Sequence, residues 1–217
     1  MANDSIFGGE RWTQLIGFLE NLPRPVKVVV WADEEGGRFE REGLNLARDL
    51  AERFSVLQFE QRDRVPDHYY YPVIGFMGED ENGDEIDFRL RIVGLPAGYQ
   101  INSLVGAIQA VSFRASNLEG LTRIKLSRVP PDAQVDLELF TSAENEAGAL
   151  VATLAAGFAV ASEQVRTFII MADLFPELAT RYSVRNLPHL VLNGRVHIEG
   201  TLDEEGLLKQ IGIALKK

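Results

Sequence analysis

The residues of this 217-residue chain that could carry chemistry are few, and cysteine is not among them. Without a thiol no thiolate can form, so the chain cannot supply dithiol or disulfide chemistry. The three histidines, His68, His189 and His197, are candidates for metal ligation. His189 and His197 fall on opposite arms of a predicted hairpin, but two ligands without a third of suitable spacing make a weak metal site. We therefore expect no bound metal.

Two other segments resemble ligand-binding loops only superficially. Gly36 and Gly37 lie between a predicted strand and a predicted helix, but they match neither the phosphate-binding nor the dinucleotide-binding glycine pattern. The acidic run 79–85 lacks the glutamate that a calcium loop needs at its twelfth position, which counted from Asp80 is Arg91. We expect a solvated turn at this run and no cofactor anywhere in the chain.

The overall charge restricts the class of partner. A formal net charge of −10 repels polyanions, which argues against nucleic acid and anionic membrane surfaces. No apolar run approaches the ~20 residues that span a bilayer. The first residues, MANDSIFGGERW, lack a basic segment followed by an apolar one, so we expect a cytoplasmic location. Another protein, or a second copy of this chain, remains the expected class of partner.

Hydrophobic spacing divides the chain into two halves with the same order of elements. The first half predicts a helix over 12–19, a strand at 26–31, a helix from about Arg38, strands at 55–60, 72–78 and 86–94, and a helix around 104–111. The second half predicts strands at 135–141 and 165–172, a helix around 150–158, a short helix capped by Asp173, a hairpin at 188–200 and a last helix with a capping box from Thr201 to Glu204. Asn82-Gly83 and Asn193-Gly194 mark the hairpin turns, because both residue types tolerate positive φ.

The repeated order predicts an α/β fold of two tandem domains, each a mixed sheet flanked by helices. An early strand–helix–strand unit supplies parallel strands, and the hairpin adds antiparallel ones, which is the thioredoxin arrangement. The segment 116–132 contains the Pro130-Pro131 pair, and its later part is interpreted as the connection between the halves. The predicted thioredoxin-like domains are therefore 1–118 and 132–217.

Two longer stretches carry a family resemblance. They are RLRIVGLPAGYQINSLVGAI at 89–108 and FPELATRYSVRNLPHLVLNGRVHIEG at 175–200. With both in this order, the chain resembles the protein disulfide oxidoreductases built of two fused thioredoxin folds. A similar tandem forms the N-terminal domain of the flavoprotein component of alkyl hydroperoxide reductase. The resemblance covers nearly the whole chain and implies the fold and the places where a redox site would lie.

The family's redox machinery is missing from both of those places. Its Cys-x-x-Cys motifs follow the first strand of each half. The aligned positions hold Gly37, Arg38, Phe39 and Glu40 in the first half, and Glu144, Asn145, Glu146 and Ala147 in the second. We interpret this as natural loss at both sites. Glu144 would lie at a helix N-terminus, where a carboxylate gains ~0.3–1 kcal/mol, so helix capping is the main interpretation and acid–base work the alternative.

The resemblance also draws attention to two X-Pro bonds, Tyr71-Pro72 and Leu187-Pro188. In thioredoxin folds this bond is cis and lies beside the active-site loop, where the preceding residue can pair with an extended peptide. We expect both bonds to be cis, since a cis bond is a rare and specific backbone feature. The alternative is a purely structural role in shaping the sheet edge. The run 69–71 of three tyrosines could form an amphipathic contact surface, although strand alternation would bury at least one of them.

The expected function is that of a redox-inactive binding or assembly scaffold. The alternatives are an enzyme with non-thiol chemistry, or a protein grouped with the disulfide oxidoreductases by family alone. A deep polar pocket with convergent ionisable groups would favour an enzyme, and a shallow apolar groove beside Pro188 would favour binding.

Overall fold

The structure is a computed structural model that describes residues 17–66, 70–115 and 117–216. The predicted helix at 12–19 falls mostly outside the described residues. Its end, 17–19, is helical, and Leu19 there is buried. His68 and Tyr69 also lie outside the described residues, so the structure does not test what was predicted for them.

Beyond this helical end at 17–19, the described part of the first half contains four strands and two α-helices. They are β1 (Val26–Trp31), α1 (Arg38–Arg53), β2 (Leu57–Arg62), β3 (Val73–Glu79), β4 (Glu85–Val93) and α2 (Ile101–Ser112). The β-branched run of β1 suits a strand that is almost wholly buried. Helix α1 buries Gly43, Leu46 and Leu50 as predicted, but Phe39, which we expected on the same inward stripe, is 40% exposed.

The connection between the halves carries a helix that the sequence did not predict, α3 (Gly120–Leu126). The second half then contains β5 (Val135–Thr141), α4 (Glu146–Ala161), β6 (Val165–Met171), α5 (Pro176–Arg181), β7 (His189–Leu192), β8 (Val196–Glu199) and α6 (Glu204–Ala214). Two predicted caps differ. Asp203, not Thr201, caps α6 by accepting the Gly206 N–H at 2.8 Å. Phe175 stands at the N-cap of α5, so Asp173 does not cap that helix.

The strands form one continuous sheet in the order β2-β1-β3-β4-β6-β5-β7-β8. Each half keeps the same internal order, and the two half-sheets join where β4 pairs in parallel with β6 from Leu90–Thr167 to Val93–Ile170. The predicted α/β class and repeat are confirmed, but the two expected sheets are merged into one. An edge strand presents unpaired backbone groups, and pairing β4 with β6 satisfies them.

The two faces of the sheet are covered unequally. The larger core lies on the face that packs against α1, α2, α4 and α6, and it is continuous across both halves. The opposite face carries a smaller cluster centred on Val73, Val93, Phe140 and Ile170, with Leu178 of α5 over it. In the first half, Tyr70, Tyr71 and Trp31 are the described residues that pack against this smaller cluster. None of the described helices is long and apolar enough to span a bilayer.

Candidate functional site

The loop before α1 is organised around a buried carboxylate, Glu40. Its side chain is 8% exposed, and it accepts the backbone N–H groups of Asp33 at 2.9 Å and Gly37 at 3.2 Å. Gly36 leaves the room for it, because a Cβ at Gly36 would lie 2.5 Å from Glu40 Oε1. The position that the resemblance assigns to a second cysteine therefore holds a carboxylate that accepts hydrogen bonds from the main chain.

Arg64 completes this arrangement from the segment between β2 and β3. Its Nε donates to Glu40 Oε2 at 2.9 Å, and its Nη2 donates to Glu40 Oε1. Burial acts to raise the pKa of Glu40, but the hydrogen bonds from Arg64, Asp33 and Gly37 outweigh it, so the pKa lies below its usual range. A carboxylate held by this many donors is a structural anion, not a free proton acceptor.

The other first-half candidate residues are dispersed. Arg38 is 80% exposed and pairs with Glu42 one helical turn away, at 2.5 Å. The Tyr71-Pro72 bond is cis, as predicted. Tyr71 is half-buried, its hydroxyl donates to the Val65 carbonyl at 2.8 Å, and the Arg64 guanidinium lies 5.4 Å from its ring centroid. The predicted site residues therefore do not converge on one reactive centre here.

The tyrosine run does not form an exposed surface in its described part. Tyr70 is half-buried, and its ring packs 5.1 Å from that of Phe175, centroid to centroid. Both Tyr70 and Tyr71 contact the smaller hydrophobic cluster. Their main role is to cover the first-half face of the sheet.

In the second-half loop, Asn145 caps the N-terminus of α4. Its Oδ1 accepts the Gly148 N–H at 2.5 Å. The interpretation of Glu144 as the capping residue is therefore wrong. Glu144 and Glu146 are exposed, and Ala147 is half-buried. The two carboxylates give this loop a negative, solvated rim beside the N-terminus of α4.

A contact from the first half holds the same loop in place. Buried Gln100 donates through Nε2 to the carbonyls of Ser142 at 2.9 Å and Asn145 at 2.8 Å. The Tyr99 N–H donates to the Ala143 carbonyl at 2.8 Å. Gly98 has φ +57, and a Cβ there would lie 2.3 Å from the Ala143 oxygen. Sequence reasoning missed the role of Gln100, because its two partners lie 42 and 45 residues away.

Leu187-Pro188 is the second cis bond, as predicted. The Pro188 carbonyl accepts the Gly200 N–H at 2.9 Å, which anchors the start of β7. Leu187 is half-buried and packs against the smaller cluster. Its backbone N–H and C=O make no hydrogen bond with any residue that the structure describes. A donor and an acceptor thus remain open at the residue before the cis-proline.

His189 follows directly, and its Nε2 lies 3.0 Å from Nδ1 of His197 on the opposite arm of the hairpin, where the sequence placed it. His189 is 3% exposed, and its own Nδ1 is buried without a described hydrogen-bond partner. Burial first, and then the neighbouring His197, lowers the pKa of His189, which favours the neutral ring. Within the described residues no group of three potential ligands forms around this pair or elsewhere.

A half-buried acid that sequence reasoning missed, Glu138, lies on β5. Tyr182 donates its hydroxyl to Glu138 Oε1 at 2.5 Å. Burial raises the pKa of Glu138 against the opposing effect of this bond, and burial together with Glu138 raises the pKa of Tyr182 to about 12. The phenol and the carboxyl satisfy each other, so the pair is a structural hydrogen bond that links α5 to the sheet.

Comparison with solved structures assigns the chain to the class of proteins with two tandem thioredoxin folds. An N-terminal domain of the alkyl hydroperoxide reductase AhpF of Enterococcus faecalis superposes with a TM-score of 0.82, at 19% identity, over 94% of this chain and 99% of that one. A protein disulfide oxidoreductase from Aeropyrum pernix superposes with a TM-score of 0.83, at 21% identity, over 97% of this chain and 94% of that one. These superpositions establish the fold.

The sequence relatives agree with the structural ones. The alkyl hydroperoxide reductase AhpF of Xanthomonas campestris is 24% identical over 200 residues, which is 92% of this chain and 36% of the relative. The same protein of Pseudomonas aeruginosa is 24% identical over 202 residues, with the same shares. The chain thus spans about a third of the length of the curated relatives it matches. No protein-family profile matches it. The predicted resemblance to proteins with two tandem thioredoxin folds is supported at this level.

Proposed function

We propose that this chain is a redox-inactive thioredoxin-fold protein that binds an extended segment of a partner protein beside Leu187. With no cysteine in the chain, neither degenerate loop can form the thiolate that disulfide exchange requires. The observation that carries the proposal is the open N–H and C=O of Leu187 next to the cis bond. An extended peptide can pair with both groups in the manner of strand addition.

The second half is the better candidate for the groove. In the first half the ion pair between Glu40 and Arg64 ties the degenerate loop to the segment that carries Tyr71. In the second half Gln100 donates a hydrogen bond to the Ser142 carbonyl of the loop, and Glu144 remains exposed. A rigid groove lowers the ordering cost of binding. The negative rim favours a segment that has an apolar side chain for Leu187 and a basic residue nearby.

Thiol chemistry is tested directly. Insulin reduction and dithiol oxidation by the purified chain should proceed at the rate of buffer alone. A turnover rate that persists through purification and scales with the concentration of this chain would contradict the first part of the proposal.

Binding is tested by selecting extended peptides from a display library against the wild-type chain. Leu187→Asp should weaken the selected peptides by about tenfold or more, because a carboxylate would replace the apolar contact. Leu187 is half-buried, so each variant is first checked by thermal unfolding. A second variant, Glu144→Lys with Glu146→Lys, should weaken the basic peptides without touching the core.

The matched control for that charge reversal is Glu81→Lys, on an exposed turn of the first half. It should leave peptide affinity unchanged. If the selected peptides bind wild type, Leu187→Asp and the double charge reversal equally well, the groove beside Pro188 is not the binding site. Sedimentation velocity of the chain alone, wild type against Leu187→Asp, shows whether the bound segment comes from a second copy.

A further inference from the structure

A cavity of about 260 Å³ lies on the less covered face of the sheet, where the two halves meet. It is distinct from the groove beside Leu187, and it combines ring and cationic side chains. Those that matter are Trp31, Tyr71, Phe168, Arg89, Arg91 and Arg166. They come from β1, β4, β6 and the segment before β3, so the cavity depends on the joined sheet.

One wall is the Trp31 ring, which lies flat across β3. Gly75 makes this possible, because a Cβ at Gly75 would lie 2.6 Å from Trp31 Cζ3 and 3.1 Å from Arg91 Nη1. The guanidinium carbons of Arg91 and Arg62 lie 4.6 Å and 5.7 Å from the Trp31 ring centroid. Cation–π contacts of this kind fix the orientation of the ring. The wall is therefore preorganised.

The cationic groups differ in whether they are already paired. Arg91 donates to Asp87 at 2.9 Å and 2.5 Å, and Arg166 donates to Asp136 at 2.6 Å and 2.7 Å. The side chain of Arg89 makes no hydrogen bond or ion pair with any described residue, although it is half-buried. Asp87 acts on Arg89 electrostatically, and Glu138 acts on Arg166, but no described carboxylate is hydrogen-bonded to the Arg89 guanidinium.

The backbone of Arg89 is also unusual. It has φ +55, and its N–H donates to Asp87 Oδ1 at 2.7 Å, within the irregular register between β3 and β4. A non-glycine residue in this region is strained, and such strain concentrates at ligand sites. Bulges likewise recur beside functional sites, where they redirect a side chain. The positive φ and the bulge together indicate that the fold sacrifices some stability to position the Arg89 side chain.

We propose that this cavity binds a small aromatic carboxylate. The aromatic walls suit a planar ring, and the Arg89 guanidinium presents the fork of donors that matches a carboxylate. One guanidinium without a hydrogen-bonded carboxylate suits a monoanion better than a dianionic phosphate ester, because Asp87 and Asp136 already carry negative charge beside the cavity. The volume is just below the ~300 Å³ at which ligand pockets usually begin, which limits the ligand to a compact molecule. Arginine does not deprotonate at physiological pH, so the lining arginines provide binding and not proton transfer.

Isothermal titration calorimetry of the full chain with naphthoate tests the proposal. Naphthoate should bind, and the neutral isostere naphthamide should bind about tenfold more weakly or worse, because it lacks the charge-assisted hydrogen bonds. Arg89→Met, which keeps the aliphatic stem, should weaken naphthoate by a similar factor. Arg185→Met, at an exposed arginine with no described partner, is the matched control and should not.

A second measurement keeps the test independent of any change in fold. In wild type, naphthoate should shift the indole N–H resonance of Trp31 and leave the amide of Leu187 unchanged. No binding of naphthoate at millimolar concentration, equal binding by Arg89→Met, or equal binding of naphthamide would overturn the proposal. Tighter binding of phenyl phosphate than of naphthoate would overturn the assignment to a carboxylate.

Discussion

Neither the loop before α1 nor the loop before α4 carries a thiol, and different interactions hold the two loops in place. In the first half a buried glutamate, Glu40, occupies a cysteine position and is bound by Arg64 and two backbone N–H groups. In the second half the loop carries exposed carboxylates. Gln100, which belongs to the first half, donates hydrogen bonds to two of its carbonyls. A thioredoxin-like loop can therefore be kept rigid either by an internal ion pair or by the neighbouring half.

The difference also separates what the two X-Pro sites offer to a ligand. At the first, the tyrosine before the proline is covered by Arg64 and helps to line the cationic cavity. At the second, the main-chain N–H and C=O of Leu187 make no hydrogen bond with the part of the chain that the structure describes. We infer a small-molecule site near the first and a peptide site at the second.

The largest effect is expected at Glu40. Glu40→Ala leaves Arg64 and two backbone donors without their acceptor, and it should lower the unfolding free energy by about 3 kcal/mol. Glu144→Ala, an exposed carboxylate in the other loop, should change it by less than about 0.5 kcal/mol. Urea denaturation of the two variants measures this. Equal effects would show that the two loops are not held differently.

Gln100 should be next in size. Gln100→Ala removes both hydrogen bonds that Gln100 Nε2 donates to this loop and should cost about 2 kcal/mol of unfolding free energy, although the Ser142 carbonyl keeps the Asn145 N–H at 3.0 Å. Amide hydrogen exchange within 142–147 should become faster, while 33–40 should be unaffected. Gln58→Ala, on the exposed face of β2, is the matched control and should change neither quantity. Unchanged exchange in 142–147 would mean that Gln100 does not hold the loop.

A smaller effect is expected from acid. Because the folded-state pKa of Glu40 lies below the usual 4.5, Glu40 contributes stability that is present above pH 4.5 and is lost as the pH falls through the lower folded value. Glu40→Gln should therefore flatten the loss of unfolding free energy between about pH 4.5 and the acid limit. A variant with the same acid slope as wild type would exclude Glu40 as its source.

The smallest effect should come from His189. Its folded-state pKa lies below 6.5, so the unfolded chain takes up a proton first as the pH falls, and stability decreases from about pH 6.5 downward. Comparing unfolding free energies at neutral and mildly acidic pH for wild type and His189→Gln measures this contribution. The decrease should be smaller in the variant, and a larger decrease would show that His189 is protonated in the fold.

Local signals predicted much of this fold correctly. The spacing of apolar residues predicted α1 from Arg38, and Asn193-Gly194 forms its predicted turn with φ values of +52 and +63. The first and last residues of β2 were harder to predict. The strand runs over Leu57–Arg62 instead of 55–60, because pairing with β1 fixes the strand ends and composition alone does not. The joining of the half-sheets at β4 and β6 is likewise a contact between distant segments.

The candidate sites were predictable only in part, for the same reason. Both cis bonds followed from the motifs around Pro72 and Pro188. The binding of Glu40 by Arg64 did not, because the two residues are 24 positions apart and the second lay in a segment interpreted only as a loop. Arg89 was visible in the sequence at the start of the stretch 89–108, but the lack of a described hydrogen-bond partner for its guanidinium is a property of the assembled sheet.

The most direct test of peptide binding at the second X-Pro site is the behaviour of the Leu187 amide when a selected peptide binds. Two-dimensional NMR of the labelled chain should show that the Leu187 N–H shifts and becomes protected from exchange, together with residues of the 142–147 loop. The same peptide should leave the Trp31 indole resonance unchanged. Protection that appears around Trp31 and Tyr71 instead, or no protection at Leu187 in the saturated complex, would contradict the claim that this site binds an extended chain.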